Sequence, residues 1–171
     1  GSMGSIVWQL HGSKQGPAQV TPPVAFYIDR ANLSVSLNAA PADLSYDCLS
    51  LTSTRRAPAR RVLTAIPLTD IKQRWVDYVV KVKFAYTNGT LDVWKNGAKV
   101  TQYVGPTLYR CDDQTAAGLG PYMSLGPYKW AWGITNSTLT QLTMYADEIR
   151  IGNENATCND VKHTGSLSCA H

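Results

Sequence analysis

The sequence predicts an all-β fold, an antiparallel β-sandwich of the jelly-roll type. About ten short segments with the composition and alternation of strands are separated by turns rich in Gly, Asn and Pro. Two of these turns, Asn88-Gly89 and Asn96-Gly97, carry the pair that tight hairpins favour. No segment has the spacing of an amphipathic helix. The chain is therefore expected to bury one face of each sheet in a shared core.

The expected strands follow one another with short connections. They cover residues 6–12, 24–28, 33–37, 48–53, 62–68, the apolar part of 70–86, 91–95, 98–103, 121–132 and 142–151. The meander that runs from the strand within residues 70–86 to residue 103 has the clearest alternation. Residues 153–171 are expected to form a tail that is held by its cysteines.

The first strand is the most informative. Its alternation places Val7, Gln9 and His11 on one face and the apolar residues between them on the other. Gln9 and His11 are then about 6 to 7 Å apart, a spacing suited to one polar ligand. An exposed face that carries these two residues without any function remains an alternative.

Length and charge limit the class of protein. The 171 residues suit one domain, residues 6–171, after a cloning remnant at residues 1–5. No apolar run is long enough to span a membrane.

The net charge of the chain is modestly positive. The 16 Lys and Arg against 12 Asp and Glu give a net charge of +4, which weakly favours polyanions. Nucleic-acid motifs are absent, so an acidic polysaccharide is the better partner.

The four cysteines form no CxxC pair, which argues against a structural zinc site. Three disulfide connectivities are possible, and Cys48–Cys111 with Cys158–Cys169 is favoured because the second pair closes a short loop. An even cysteine count beside four N-glycosylation sequons predicts a secreted protein. The sequons begin at Asn32, Asn88, Asn136 and Asn155.

Cationic side chains are concentrated in two places. Lys81 and Lys83 alternate with apolar residues and define one face of a strand. Four arginines lie within seven residues, at Arg55, Arg56, Arg60 and Arg61. Both groups are either solvated surface or positions that bind carboxylates or sulfates, since guanidinium groups bind such anions in a bidentate manner.

Several stretches together resemble one group of enzymes. Trp8-Gln9-Leu10-His11 resembles the Gln-aliphatic-His motif of alginate-lyase-type polysaccharide lyases. Residues 75–99 resemble the corresponding part of the heparin-lyase-I-like and glucuronan-lyase-like families. Residues 122–128, Tyr-Met-Ser-Leu-Gly-Pro-Tyr, resemble their Tyr-Phe-Lys-x-Gly-x-Tyr block, and residues 145–152 resemble their closing strand. The matches span nearly the whole chain in the right order.

The resemblance implies a concanavalin-like jelly roll that cleaves a uronic-acid polymer such as alginate, glucuronan or a heparin-like chain by β-elimination. It implies a monomer without a cofactor, and the sequence gives no indication of calcium. Two positions depart from the pattern. Ser124 replaces the expected lysine, and the families' upstream strand with an arginine or asparagine is not present before β-strand residues 6–12. Three explanations are open: the sequence is a fragment, another chain supplies that strand, or a residue such as Arg60 substitutes for it. The fold class expected from the sequence is a jelly roll without this N-terminal strand.

Carried over residue by residue, the resemblance assigns the chemistry to Gln9, His11 and Tyr128. Gln9 would neutralise the substrate carboxylate, His11 would be a base or a further donor, and Tyr128 would move the proton. A packed aromatic residue is the alternative role for Tyr128. The candidate substrate-binding residues are Tyr122, Ser124, Lys129, Lys81, Lys83 and Arg60.

Two rival functions would need different arrangements of residues. A glycoside hydrolase needs two carboxyl groups about 5 to 10 Å apart. Asp147 and Glu148 are adjacent and would point to opposite faces of a strand, so hydrolysis is disfavoured. A non-catalytic, lectin-like sandwich for acidic polysaccharide is the remaining alternative, because it needs the cationic face but no convergence of Gln9, His11 and Tyr128.

Overall fold

A computed structural model describes residues 4–11, 22–29, 31–39, 60–108, 122–128 and 143–170. These residues contain eight strands, a turn of 3-10 helix at Leu68–Asp70 and one short helix, α1 (Cys158–Val161). None of the helices in these ranges could cross a membrane. The strands are β1 (Ser5–His11), β2 (Val24–Ile28), β3 (Asn32–Asn38), β4 (Arg60–Pro67), β5 (Tyr78–Lys83), β6 (Gly89–Lys95), β7 (Ala98–Gly105) and β8 (Tyr122–Tyr128).

The strands form two antiparallel sheets. One has the order β4-β3-β2-β1-β8 and the other the order β5-β6-β7. Val24, Val35 and Leu37 of the first sheet share a core with Leu91 and Val93 of the second, and all five are almost fully buried. These positions come from the alternating apolar residues of each strand. The predicted antiparallel β-sandwich is confirmed.

Polar and aromatic contacts also join the sheets. The rings of Phe26 and Tyr78 meet edge to face with centroids 5.5 Å apart. The Thr64 hydroxyl donates to the carbonyl of Val100 at 2.8 Å, and the Thr101 hydroxyl donates to Thr64 at 2.8 Å. The side of each sheet that faces this core is its inner face, and the opposite side is its outer face.

Tyr78 provides a test of this core. Its hydroxyl is buried and has no hydrogen-bond partner among the described residues. Burial is the larger cause and the charge of Asp70 the smaller cause that together raise the pKa of Tyr78 to about 12. Because this phenol ionises near pH 10.0 in the unfolded chain, its titration leaves the stability unchanged below pH 10 and lowers it as the pH rises towards 12, where ionisation favours the unfolded chain. Tyr78→Phe should leave the urea midpoint at pH 7 unchanged or higher and make its decline between pH 10 and 12 shallower. A large loss of stability at pH 7 would show that the hydroxyl is bonded.

β1 contains an irregularity that changes which residues share a face. Ile6 pairs with Tyr27 and Trp8 with Phe26, so Val7 is an extra residue relative to β2. Val7 belongs to the core cluster, whereas Ile6 is buried outside it. The strict alternation expected for β1 is therefore wrong at Val7, which lies on the inner face. β1 also begins at Ser5, which is buried and pairs with Ile28, although the sequence analysis assigned it to a cloning remnant.

The C-terminal cap, residues 153–170, covers the outer face of the three-stranded sheet. Its Cys158 and Cys169 form the disulfide that the cysteine spacing favoured, and both pack against Val79 and Trp94. The Trp94 indole donates to the carbonyl of Ala170 at 2.8 Å. A one-turn helix, α1, starts at a capping box of Thr157 and Asp160, a local signal that the sequence analysis missed.

Two strand predictions need correction. The expected last strand, 142–151, is not a strand in its described part, residues 143–151. Arg150 instead donates to the carbonyl of Lys162 at 2.7 Å and to the Thr164 hydroxyl at 3.1 Å, which ties this segment to the C-terminal cap. In the region 70–86 the strand starts only at Tyr78, after a 3-10 turn. The expected strand at 48–53 lies outside the described residues.

Candidate active site

A polar patch surrounds β1 on the outer face of the five-stranded sheet. Gln9 lies directly opposite Ser124 of β8 on one side and Ala25 of β2 on the other, and His11 lies opposite Tyr122. Directly opposed residues of antiparallel strands share a face, with side chains about 5 Å apart. Gln9, His11, Tyr122 and Ser124 are hereafter the β1–β8 patch.

His11 and Tyr122 are in ring contact. Their centroids are 5.4 Å apart and the ring planes are inclined by 30°. Stacking of this kind restricts rotation of the imidazole about its side-chain bonds, so the ring is held in one orientation. Tyr122 itself is half exposed, which leaves part of its ring available to a ligand.

The Gln9 side chain has an unmet bonding requirement. Its Oε1 atom is shielded from solvent and has no hydrogen-bond partner among the described residues. A buried acceptor without a donor costs about 1 to 3 kcal/mol.

Tyr128 lies on the same face at a greater distance. It pairs with Ile6, and Ile6 is three residues from Gln9, so the α-carbons of Tyr128 and Gln9 are separated by about 10 Å along the strands. Gly126 and Pro127 form a bulge opposite Val7, and Gly126 has φ +127°, a conformation that favours glycine. Tyr128 is 53% exposed. Tyr128 therefore shares the face of the β1–β8 patch but is not paired across the strands with any of its members.

A family model described as polysaccharide lyase matches residues 2–150, which include the whole patch and Tyr128. The chain belongs to the polysaccharide lyase family. Comparisons of the lyase with curated proteins and with solved structures gave no significant match. The family indicates an enzyme that cleaves polysaccharide, and the patch supplies an amide, an imidazole and a phenol on one surface of this lyase.

The structure does not bring all predicted cations of the lyase to this surface. Lys81 and Lys83 lie on β5, on the outer face of the other sheet, and the Lys81 ammonium donates to the carbonyl of Ala156 in the C-terminal cap at 3.1 Å. The core separates both lysines from the β1–β8 patch. Periodicity identified them as solvent-facing but did not indicate which sheet carries them. Four further predicted residues lie outside the described ranges, namely Lys129, Cys48, Cys111 and Asn136.

Arg60 does lie on the outer face that carries the patch. It pairs with Asn38 at the edge of the sheet, three strands away from His11. Its guanidinium carbon is 4.8 Å from the ring centroid of Tyr27. The sequence analysis missed Tyr27 and Asn38, although the alternation of polar residues with Leu33, Val35 and Leu37 in β3 would have placed Asn38 on this face.

Proposed function

We propose that the lyase cleaves a uronic-acid polysaccharide by β-elimination. In this reaction C5, the carbon next to the carboxylate, loses a proton, and a double bond forms between C4 and C5. The bond from C4 to the glycosidic oxygen breaks, and that oxygen takes up a proton. One observation carries the proposal: the amide and imidazole of β1 and the phenol of Tyr128 face the same side of one sheet.

Gln9 is assigned to the substrate carboxylate. Loss of the C5 proton places negative charge beside an existing anion, which is unfavourable unless that anion is neutralised by donors. The Gln9 amide nitrogen would donate to the carboxylate. Removal of one comparable donor in other enzymes costs about 10²–10³ in rate.

His11 is assigned to the proton or to the carboxylate, depending on which side of the sugar ring carries the C5 hydrogen. The stacked Tyr122 holds the imidazole in place for either role. Ser124, next to Gln9 across the strands, adds a hydroxyl to the same patch where the resembling families have a lysine. In this assignment the carboxylate is bound by donors from β1 and β8.

Tyr128 is assigned as the proton shuttle. A phenol that accepts the C5 proton or supplies one to the leaving oxygen must reach C5 or that oxygen while other groups hold the carboxylate. The separation of about 10 Å from Gln9 leaves room for a sugar ring between them. Arg60 is too far along the sheet to neutralise the same carboxylate, because three strand spacings amount to about 14 Å.

We also propose that the lyase works outside the cell and is glycosylated. The Cys158–Cys169 disulfide requires an oxidising compartment to persist. Among the described sequons, Asn88 and Asn155 are exposed, whereas Asn32 at the start of β3 is partly buried. Glycans at Asn88 and Asn155 would lie away from the β1–β8 patch.

A substrate panel tests the function. The protein would be mixed with alginate, glucuronan and heparin, and the ultraviolet absorbance of the unsaturated product followed over time. We expect a rise with at least one polymer and none with a neutral glucan. Binding to a uronate polymer without any rise would instead support a non-catalytic carbohydrate-binding module.

A further inference from the structure

We propose that Arg60, stacked on Tyr27, forms a second anion-binding position that holds a carboxylate on a sugar beyond the cleaved bond. The inference rests on the proposed function and adds a substrate class to it, a polymer with acidic groups on several of its sugars. The polymer would cross the strands, from the β1–β8 patch over β2 and β3 towards β4.

The register places the two ends of this path in one row. His11 and Tyr122 are paired across β1 and β8, and Asn38 and Arg60 are paired across β3 and β4. The neighbouring row connects them. Leu10, next to His11, pairs with Val24 of β2, and Val24 pairs with Leu37, which is next to Asn38. The His11–Tyr122 pair and the Asn38–Arg60 pair therefore lie at the same level of the sheet. Arg60 is thus about 14 Å from His11 at the level of the α-carbons.

Tyr27 covers the surface between these ends. It pairs with Ser34, yet its hydroxyl is hydrogen bonded to the side chain of Asn38, four residues further along β3. Tyr27 and Asn38 share the outer face, so the Tyr27 side chain extends along the sheet towards Asn38. Burial raises the pKa of Tyr27, while the bond to Asn38 and the Arg60 charge act in the opposite direction. The Tyr27 ring, between Arg60 and Asn38, is the floor of the proposed anion position.

Arg60 is held by this floor and remains accessible. A guanidinium stacked on an aromatic face keeps its in-plane N–H groups free for an anion. Arg60 is exposed, and no carboxylate of the described residues lies within ion-pair distance of it. The Arg60 charge helps to lower the pKa of Asp29, but the backbone hydrogen bonds have the larger effect. The Asp29 carboxylate accepts from the backbone N–H groups of Ala31 at 2.8 Å and Asn32 at 2.7 Å.

The neighbouring arginine provides a matched control. Arg61 points to the other side of β4, where its guanidinium carbon is 5.4 Å from the Tyr103 ring centroid. Arg60→Gln and Arg61→Gln remove the same charge from adjacent residues on opposite faces. They therefore separate a local anion contact from a change in net charge.

The experiment measures both cleavage and binding with each variant. On a uronate polymer that the protein cleaves, Arg60→Gln should raise KM roughly 10-fold or more with kcat within about twofold, because a charge-assisted bond is lost. Arg61→Gln should leave both constants near those of the unchanged protein. Tyr27→Leu should reproduce the KM increase, whereas Tyr27→Phe, which keeps the ring, should restore most of the affinity.

Titration of alginate, glucuronan and heparin into the same variants gives a second readout that needs no turnover. Suppose that the protein cleaves none of these polymers but that Arg60→Gln binds one of them more weakly than Arg61→Gln does. That result would support the anion position and overturn the lyase function proposed above. Cleavage with equal KM for both variants would overturn the anion position alone. Absence of both cleavage and binding would overturn the two proposals together.

Discussion

Tyr128→Phe should lower kcat roughly 10²–10⁴-fold, the range that a positioned proton donor or acceptor contributes. The variant keeps the aromatic ring, so the bulge at Gly126 and the pairing with Ile6 are retained. KM should change little because Tyr128 is not among the groups assigned to the substrate carboxylate. The measurement is the initial rate of unsaturated product formation on the preferred polymer.

Tyr122→Phe is the matched control for this prediction. Both tyrosines lie on β8 and are about half exposed, but only Tyr122 stacks on His11. The phenylalanine ring preserves that stacking, so kcat should remain within about threefold if the Tyr122 hydroxyl takes no part in proton transfer. If Tyr122→Phe abolishes cleavage and Tyr128→Phe does not, the proton shuttle is Tyr122 and our assignment is wrong.

Loss of the Cys158–Cys169 disulfide should have the largest effect on stability. The bridge closes a loop with a sequence separation of 11, and the chain-entropy relation gives about 3 kcal/mol for a loop of this size. The double variant Cys158→Ser and Cys169→Ser should therefore unfold at a clearly lower urea concentration. The bridge packs on Trp94 of the three-stranded sheet, so kcat on the opposite face should change little at low temperature.

A comparison with and without reductant completes the test. Reductant should lower the urea midpoint of the unchanged protein towards that of the double variant, and any remaining effect of reductant on the variant reports on Cys48 and Cys111. An unchanged midpoint in the double variant would mean that the C-terminal cap is held by its hydrogen bonds, such as that from Trp94 to Ala170.

Alternation and turn residues predicted most of the sandwich because both are local properties of the chain. The hairpin from β6 to β7 is an example, with Asn96-Gly97 at its turn and Gly97 at φ +82°. The same alternation was misleading at Val7, since an extra residue in β1 depends on the pairing partner and leaves no mark in the sequence of β1 itself. The segment 143–151 also alternates, yet Arg150 bonds it to the C-terminal cap.

The candidate site was partly predictable for the same reason. Gln9 and His11 share a face by spacing alone, and the Tyr122 to Tyr128 block was found by resemblance. Which sheet carries a given cation depends on strand order, and no local pattern contains that information. Lys81 is thus on the far side of the molecule, whereas Arg60 shares a face with His11.

The position of Tyr128 depends on the number of residues in the bulge of β8 opposite β1. The three residue steps from Leu125 to Tyr128 in β8 lie opposite the two steps from Trp8 to Ile6 in β1. The same two steps of β1 lie opposite a single step of β2, from Phe26 to Tyr27. Deletion of one residue at 126–127 would remove the extra residue of β8 and change where Tyr128 stands relative to Gln9, while Ser124 keeps its pairing with Gln9. Under the proposed assignment, this deletion would separate the proton shuttle from the groups that bind the carboxylate, so cleavage would be lost while polymer binding is retained.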